Sequence, residues 1–276
     1  MKLSSFAHRG TQALKIQETI WITGASSGIG EALAIEYAAP GVRLILSGRS
    51  EDKLRSVADK CQERGAEALV FPLDISVTDQ LQAKVETLRE KVDRVDVLVN
   101  NAGISQRSKV LETSLSTHRK LMEINYFGTI ELARLVLEWM IEKGGGTMVV
   151  MSSITGRFGF PLRSSYSASK HAILGFFGAM DLEYSKQGIK VCMILPGRIN
   201  TPISLSALKG DGSQKGTMDK GLAGGMDVRK CARKIKRAVR KGKYITYITR
   251  KEIILVWIYK FFPSVFRLIA RRINPE

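Results

Sequence analysis

The sequence predicts an α/β fold with a doubly wound parallel sheet, and two observations lead to that prediction. Strand-like and helix-like stretches alternate along most of the 276 residues, which is the order that helical crossovers between parallel strands produce. Several strand-like stretches are also nearly continuous apolar runs rather than alternating ones. Such runs are typical of strands that helices cover on both faces. We therefore expect one large domain.

The first half of the chain supplies four strands, which are predicted at "TIWITG", "VRLILSG", "AEALVFPLD" and "VDVLVNNAG". A helix over 31–37 follows the first strand. The second is followed by "SEDKLRSVADKCQERG", which begins at a capping serine, Ser50, and ends at a glycine, Gly65. The third is followed by the helical pattern "VTDQLQAKVETLREKV". This repeated order favours crossovers in a single sheet.

The second half continues the pattern. Long helices over roughly 115–143 and 166–187 flank the strand "GTMVVMSS", and "GIKVCMILPG" is the next strand. Residues 203–226 are rich in Gly, Lys and Ser and are predicted to form a mobile loop over a substrate. We place the catalytic domain over 1–250 and an apolar and basic tail, predicted to be helical, over 251–276.

Charge is unevenly distributed. The net charge is +17, and "VRKCARKIKRAVRKGK" over 228–243 holds nine Lys or Arg and no acid. We interpret it mainly as a solvated helix packed on the sheet, with docking to anionic lipid as the alternative. No nucleic-acid module is recognisable, so we expect no nucleic-acid partner.

Cysteine and histidine usage excludes two classes of site. Cys61, Cys192 and Cys231 are far apart and form no CxxC pair, which argues against a disulfide framework and a zinc site. The three histidines are scattered, and we expect no metal. Because "MKLSSFAHRG" lacks a long apolar core, no signal peptide is predicted. We expect a cytoplasmic protein, with peripheral membrane contact as an open alternative.

The stretch "TGASSGIG" over 23–30 lies where the first strand gives way to the first helix. Glycines there let the backbone approach a pyrophosphate, and the helix start offers free N–H groups. An ordinary tight turn is the alternative. The second strand ends at Arg49 rather than at the acid that would bond the ribose of NAD. A guanidinium suits a 2′-phosphate, so the sequence favours NADP.

A second group of residues indicates proton transfer. Tyr166 and Lys170 are four residues apart and share a helix face, and Ser153 ends a strand. A tyrosine has a pKa of about 10, which a neighbouring ammonium lowers. Tyr166 could then exchange a proton with a carbonyl oxygen while a nicotinamide exchanges hydride with its carbon. The Ser153 hydroxyl would stabilise the charge on that oxygen.

Together "TGASSGIG", "NNAG" over 100–103, "INYFGT", Ser153, "YSASK" over 166–170 and "PGRINT" over 196–201 resemble the short-chain dehydrogenase/reductase family, over roughly 18–250. The resemblance implies a Rossmann-type fold. The basic stretch and the tail resemble the member-7 and hydroxysteroid dehydrogenase-like group, which acts on lipophilic carbonyls. That group usually has an N-terminal membrane anchor, which "MKLSSFAHRGTQALKIQ" does not resemble.

The resemblance also implies individual roles. Lys170 would bond the nicotinamide ribose. Asn125 would hold a water in a proton relay, with a helix kink as the alternative role. Asp74 would lie at the adenine, with a helix cap as the alternative role. The complete set of predicted cofactor contacts is Gly24, Ser26, Ser27, Gly28, Ile29, Gly30, Arg49, Asp74, Ile75, Asn101, Ala102, Gly103, Tyr166, Lys170, Pro196, Gly197, Ile199 and Thr201.

The sequence therefore predicts an NADP(H)-dependent oxidoreductase of lipid metabolism that interconverts a carbonyl and an alcohol on a lipophilic small molecule. Two alternatives stay open: a 3-oxoacyl-carrier-protein-type reductase, and a non-catalytic NADP-sensing or scaffold protein. The family's habit implies a homodimer or homotetramer. The tail "IILVWIYKFFPSVFRLIARR" is too interrupted by charge to span a bilayer. It could lie in a membrane interface, with Trp257, Phe261, Phe262 and Phe266 buried there, or pack on a second subunit.

Overall fold

Seven parallel strands form one sheet in the computed structural model, which describes residues 16–273. The strands are β1 Glu18–Thr23, β2 Val42–Ser47, β3 Glu67–Val70, β4 Val97–Asn100, β5 Gly146–Met151, β6 Ile189–Pro196 and β7 Ile245–Ile248. Their order is β3-β2-β1-β4-β5-β6-β7. The chain winds outward from β1 in one direction and from β4 in the other. This confirms the doubly wound α/β prediction, and it opens a crevice at the carboxyl ends of β1 and β4.

Helices cover both faces of the sheet. They are α1 Gly28–Tyr37, α2 Glu51–Gln62, α3 Leu81–Arg89, α4 Leu115–Met122, α5 Gly128–Glu142, α6 Ser164–Tyr184, α7 Lys220–Ala223, α8 Val228–Arg240, α9 Ile253–Phe261 and α10 Pro263–Ala270. In β1, Trp21 packs into the core under α3, α5 and α6, whereas Ile20 and Ile22 pack under α1, α2 and α8. Both faces of the strand are buried, which explains its continuous apolar run.

The basic helix α8 packs on the sheet, as the first interpretation predicted. Cys231, Ala232, Ile235 and Ala238 are buried in the core that α8 shares with α1. The lysines and arginines occupy most of the remaining helix surface. The amphipathic pattern is therefore satisfied inside the chain.

The helix predicted over 115–143 is interrupted. A π-helical segment, Glu123–Phe127, separates α4 from α5, and it contains the buried Asn125. From this segment the Asn125 side chain reaches the backbone of Ile104, which follows β4. It accepts a hydrogen bond from the Ile104 N–H at 2.8 Å and donates one to the Ile104 carbonyl at 2.9 Å. A π segment inserts one extra residue into a turn, which periodicity in the sequence does not reveal.

The 203–226 loop follows a defined path beside the crevice. Leu208 pairs with Gln106, Ile199 pairs with Met226, and the N–H of Met226 donates to the carbonyl of Arg198 at 2.8 Å. The loop also contains the single helical turn α7. These contacts place the loop beside the segments that follow β4 and β6.

The tail consists of α9 and α10, which pack against the domain through Val256, Phe266 and Ala270. Phe266 is buried, and its ring centroid lies 4.8 Å from that of Phe158. The expectation that Phe266 is available to a membrane is therefore wrong, because this ring is covered by the chain itself. Trp257, Phe261 and Phe262 are exposed by 48%, 60% and 63%.

Within residues 16–273 no helix has the length and hydropathy to cross a membrane. The prediction about a signal peptide concerns the first residues of the chain and lies outside the described part.

Candidate active site

The glycine-rich turn after β1 is shaped by close backbone contacts. Gly24 and Gly28 adopt positive φ angles of 63° and 60°, which side chains of L-residues rarely adopt. A Cβ on Gly30 would lie 2.2 Å from the carbonyl oxygen of Gly24. The Asn101 amide holds the turn from the other side, donating to the carbonyl of Thr23 at 2.9 Å. These glycines thus allow α1 to begin directly against the crevice.

A cavity of about 390 Å³ lies in front of this turn. Twelve of the predicted cofactor contacts line it: Gly24, Ser26, Ser27, Gly28, Ile29, Arg49, Asp74, Ile75, Asn101, Ala102, Gly103 and Thr201. Lys53, which the sequence analysis missed, lines it beside Arg49. Asp74 accepts hydrogen bonds from the backbone N–H and the hydroxyl of Ser76, at 3.0 and 2.7 Å. The lining includes the start of α1 at Gly28, whose free N–H groups suit the phosphates of a dinucleotide.

The remaining predicted contacts lie nearby. Gly30 packs against the carbonyl of Gly24 within the turn. The other five line a second cavity: Tyr166, Lys170, Pro196, Gly197 and Ile199. This second cavity has a volume of about 220 Å³. The two cavities share five lining residues: Ile29, Asn101, Gly103, Thr201 and Ile203. A long ligand in the first cavity can therefore reach the second.

Ser153, Tyr166 and Lys170 meet in this second cavity. Ser153 follows β5, while Tyr166 and Lys170 lie one turn apart on α6. The Ser153 hydroxyl is hydrogen-bonded to Tyr166, and the Lys170 Nζ lies 5.9 Å from the centre of the Tyr166 ring. Lys170 Nζ also donates to the carbonyl of Met151 at 2.8 Å. The strand end and the helix face thus bring together three groups that are separated in the sequence.

Asn125 is linked to Tyr166 through the hydroxyl of Ser169. Its amide donates to the Ser169 hydroxyl at 3.1 Å, and that hydroxyl donates to the backbone carbonyl of Tyr166 at 2.8 Å. Asn125 is fully buried. Its contacts link the π-helical segment to the first turn of α6.

Burial changes the acidity of both α6 groups. It lowers the pKa of Lys170 to about 8, because the charged ammonium loses solvent. Burial also raises the pKa of Tyr166, and the hydrogen bond with Ser153 and the positive charges of Arg107 and Arg163 oppose that increase. We expected Lys170 to be the cation that favours the phenolate. Arg107 and Arg163 are two further cations that favour the phenolate, and the sequence analysis did not identify them.

An ion cluster that the sequence analysis missed forms one wall of the second cavity. Asp219, in the 203–226 loop, is paired with Arg107, Arg163 and Lys215. The sequence signals are weak: Arg107 lies in "SQRS" and Arg163 in "PLRSS", both close to family motifs. Because these residues are far apart in the sequence, no local pattern predicts that their side chains form ion pairs.

Within residues 16–273 no group of three or more His, Cys, Asp or Glu side chains is placed to hold a metal ion. Asp219 is bound by cations, and Glu252, the other acid in the cavity wall, accepts a hydrogen bond from the backbone N–H of Arg250 at 2.8 Å.

Comparison with known proteins places this geometry in context. The family model described as short chain dehydrogenase matches residues 18–211. The "Dehydrogenase/reductase SDR family protein 7-like" of Anopheles gambiae is 37% identical, over 92% of this chain and 82% of that protein. The "Dehydrogenase/reductase SDR family member 7" of Homo sapiens is 36% identical, over 89% of this chain and 74% of that protein.

A solved structure supports the fold. The crystal structure of a short-chain dehydrogenase from Streptomyces avermitilis superposes with a TM-score of 0.78 at 27% identity, and the match covers 93% of this chain and 98% of that one.

Proposed function

We propose that this chain, which belongs to the short-chain dehydrogenase family, transfers hydride between NADP(H) and a lipophilic carbonyl or alcohol. The family is one of oxidoreductases that use a nicotinamide cofactor. The observation that carries the proposal is the meeting of Ser153, Tyr166 and Lys170 in the second cavity, which shares five lining residues with the first. A nicotinamide cofactor would extend along the first cavity, and its substrate would occupy the second.

Side chains of this protein supply the proton that the substrate oxygen receives. In reduction, the Tyr166 hydroxyl gives its proton to the substrate oxygen, and Ser153 donates a hydrogen bond to the same oxygen. The bound cofactor supplies the hydride. Lys170, held by the carbonyl of Met151, would bond the nicotinamide ribose, and solvent would return to Tyr166 the proton that it gives to the substrate. Asn125 positions the first turn of α6 through Ser169. Oxidation of an alcohol follows the reverse order.

Two cations support the choice of NADP. Arg49 and Lys53 both line the first cavity, at the end of β2 and the start of α2. Arg49 is exposed, so its guanidinium is accessible to a ribose 2′-phosphate. No acid occupies the position at the end of β2 where NAD would need one.

Apolar walls support a lipophilic substrate. Ile154, Phe158, Phe160, Leu222 and Leu255 line the second cavity around the reacting groups. Phe158 also contacts the tail through Phe266. Apolar walls with a few convergent polar groups are typical of small-molecule sites.

The test is NADPH oxidation with steroids, retinal, long-chain ketones, quinones and small aldehydes, comparing wild type with Tyr166→Phe. We expect kcat to fall by roughly 10²–10⁴-fold with NADPH binding retained. Tyr184→Phe, at the other end of α6, is the matched control and should retain activity. Turnover that survives Tyr166→Phe would contradict the role of Tyr166. NADPH binding without any turnover would favour the sensing alternative.

For quaternary structure we propose a homodimer or homotetramer, and for the tail either of two contacts, an anionic membrane interface or a second subunit. The exposed rings of Trp257, Phe261 and Phe262 support a contact of either kind. Flotation with anionic vesicles and light scattering of the wild type and the triple alanine variant distinguish the two. Vesicle binding lost in the variant favours the membrane, and a smaller assembly favours the subunit.

A further inference from the structure

The first turn of α6, which contains Tyr166, takes its cap from a distant part of the chain. The first N–H groups of a helix have no carbonyl one turn earlier, and a side chain just before the helix commonly accepts from them. Arg163 occupies that position in α6, and a guanidinium only donates hydrogen bonds. The N–H groups of Ser165 and Tyr166, the second and third residues of α6, therefore require an acceptor from another segment.

Gln106 provides this acceptor. Its side-chain oxygen Oε1 accepts from the N–H of Ser165 at 2.9 Å and from the N–H of Tyr166 at 3.4 Å. The two donors lie 59 and 60 positions later in the chain. Gln106 is fully buried. Because the amide is shielded from water, the two N–H groups depend on it for their acceptor.

Three hydroxyls define which way the Gln106 amide points. Nε2 lies 3.2 Å from the hydroxyl oxygens of Ser108, Thr113 and Ser164, all within donor distance. The reverse orientation would place the hydrogens of Nε2 against the two N–H donors of α6. The partners of the amide therefore assign Oε1 to the helix.

The backbone of Gln106 is held in place as well. Residue 106 pairs with Leu208 of the 203–226 loop. The N–H of Leu208 donates to the carbonyl of Ser105 at 2.9 Å, and the N–H of Arg107 donates to the carbonyl of Leu208 at 2.8 Å. The side chain of Gln106 thus extends from a paired backbone, which gives its oxygen a defined position.

The chain that enters α6 depends on the same segment. Leu162, two residues before the helix, has a φ of 62°, which is uncommon for a residue with a side chain. Its carbonyl accepts from the N–H of Ser108 at 3.3 Å. Contacts with residues 105–108 therefore hold both the entry to α6 and its first turn.

The backbone of Tyr166 is consequently held on two sides. Its N–H donates to Gln106, and its carbonyl accepts from the Ser169 hydroxyl, to which Asn125 donates. Among the described residues that line the two cavities, Gln106 does not occur. Gln106 therefore acts on the site through α6 rather than by touching a ligand.

We propose that Gln106 is a positioning residue for the reaction. By capping α6 from the segment that follows β4, it sets where the Tyr166 hydroxyl lies relative to Ser153 and the substrate oxygen. The proposal rests on the proposed function, in which Tyr166 gives the proton. A displacement of about 1 Å at a reacting group can lower turnover by about 10²-fold, so the cap affects the rate as well as the stability.

The test compares the wild type with Gln106→Met and Gln106→Glu on the carbonyl that the wild type reduces best. The thioether of Gln106→Met is similar in length and only a weak acceptor. We expect its kcat per NADPH-binding site to fall by roughly 10–10²-fold, with little change in the KM for NADPH. Gln106→Glu keeps an oxygen acceptor at a helix start, which favours negative charge, and should recover most of kcat.

Asp227→Ala is the matched control, because Asp227 caps α8 by accepting from the N–H of Lys230 at 2.9 Å. It should lower the urea midpoint, as the loss of a helix cap does, and leave kcat per binding site unchanged. This comparison separates a loss of position from a loss of stability. A wild-type kcat per site in Gln106→Met would overturn the proposal, and so would a Gln106→Glu variant that is no more active than Gln106→Met.

Hydrogen exchange measures the cap without the reaction. NMR of the NADPH-loaded protein follows the Ser165 and Tyr166 amides, which should exchange roughly tenfold faster or more in Gln106→Met. Amides in the last turns of α6 should keep their rates. Unchanged exchange at Ser165 and Tyr166 would overturn the proposal, and the proposed function would still stand if Tyr166→Phe abolishes turnover. Faster exchange in the variant, combined with no turnover of any carbonyl by the wild type, would support the cap and contradict the proposed function.

Discussion

Asp219 accepts hydrogen bonds from both Nε and Nη2 of Arg107, a residue 112 positions earlier in the chain. Arg107 belongs to the segment that follows β4, and Asp219 belongs to the 203–226 loop. Burial raises the pKa of Asp219, but hydrogen bonds from Arg107 and Lys215 outweigh burial and hold that pKa below its ordinary value. The pair therefore fixes the loop to the carboxyl edge of the sheet as an ion pair.

Asp219→Asn should loosen the loop and destabilise the chain. It leaves the buried Arg107 without its full counter-charge, which costs about 3 kcal/mol in the free energy of unfolding. Urea denaturation and the rate of tryptic cleavage after Lys209 and Lys215 measure the two effects. Asp211→Asn, an exposed aspartate in the same loop, is the control. Equal cleavage rates in the two variants would show that the ion pair does not hold the loop.

Arg49→Ala should weaken NADPH binding and leave NADH binding nearly unchanged. The guanidinium would pair with the 2′-phosphate, which NADH lacks, so we expect roughly a tenfold or larger increase in Kd for NADPH alone. Fluorescence titration with both nucleotides measures it. Arg55→Ala, on the exposed side of α2 and paired with Glu51, should change neither Kd. A parallel loss for both nucleotides would assign Arg49 to another role.

Lys170 should make stability depend on pH. Its folded pKa is about 8, whereas an unfolded lysine titrates near 10.4. Between these values the unfolded chain binds more protons, so the free energy of unfolding rises with pH. Relative to Lys170→Met, the wild type should gain roughly 1 kcal/mol per pH unit at most between pH 8 and about 10.

Denaturant titrations at several pH values measure this difference. Lys84→Met, an exposed lysine on α3, controls for the loss of one charge. A constant difference between wild type and Lys170→Met across this range would contradict the buried, easily deprotonated lysine.

Gly30→Ala should disrupt the turn, because its Cβ would lie 2.2 Å from the carbonyl oxygen of Gly24 and 2.7 Å from Asn101 Nδ2. We expect a loss of about 3 kcal/mol in the free energy of unfolding together with loss of nucleotide binding. Thermal denaturation and NADPH fluorescence measure the two. Gly175→Ala is the helical counterpart on α6, where nothing lies within 4 Å of the added Cβ, and it should stabilise by about 0.8 kcal/mol. If Gly30→Ala bound NADPH as tightly as the wild type does, the turn would be able to accommodate the added Cβ.

Local patterns in the sequence were sufficient to predict most strands of the sheet. The apolar run that contains Trp21 predicted a strand buried on both faces, and both of its faces are buried. The spacing of Tyr166 and Lys170 predicted a shared helix face, and the two meet in one cavity. Such features depend on neighbours within a few residues, which the sequence displays directly.

Features that depend on distant residues were not predictable. The strand β7 is only four residues long, and its place in the sheet is defined by pairing with β6. The π-helical segment depends on the bonds between Asn125 and Ile104. The cluster around Asp219 joins residues from three separate segments, so no local pattern identifies it.

The tail has a consequence for how members of this family diverge. Leu255 on α9 lines the second cavity, and so do Asp219 and Leu222, yet the family model ends at residue 211. Part of the wall of the second cavity is therefore encoded after the stretch that contains Ser153, Tyr166 and Lys170, while Phe158 and Phe160 contribute to the same wall from within it. A chimera that takes its C-terminal portion from a relative should keep these three residues and shift part of its selectivity toward that of the donor. Sequence changes after residue 211 can thus reshape the cavity wall while the residues that meet at Tyr166 stay the same.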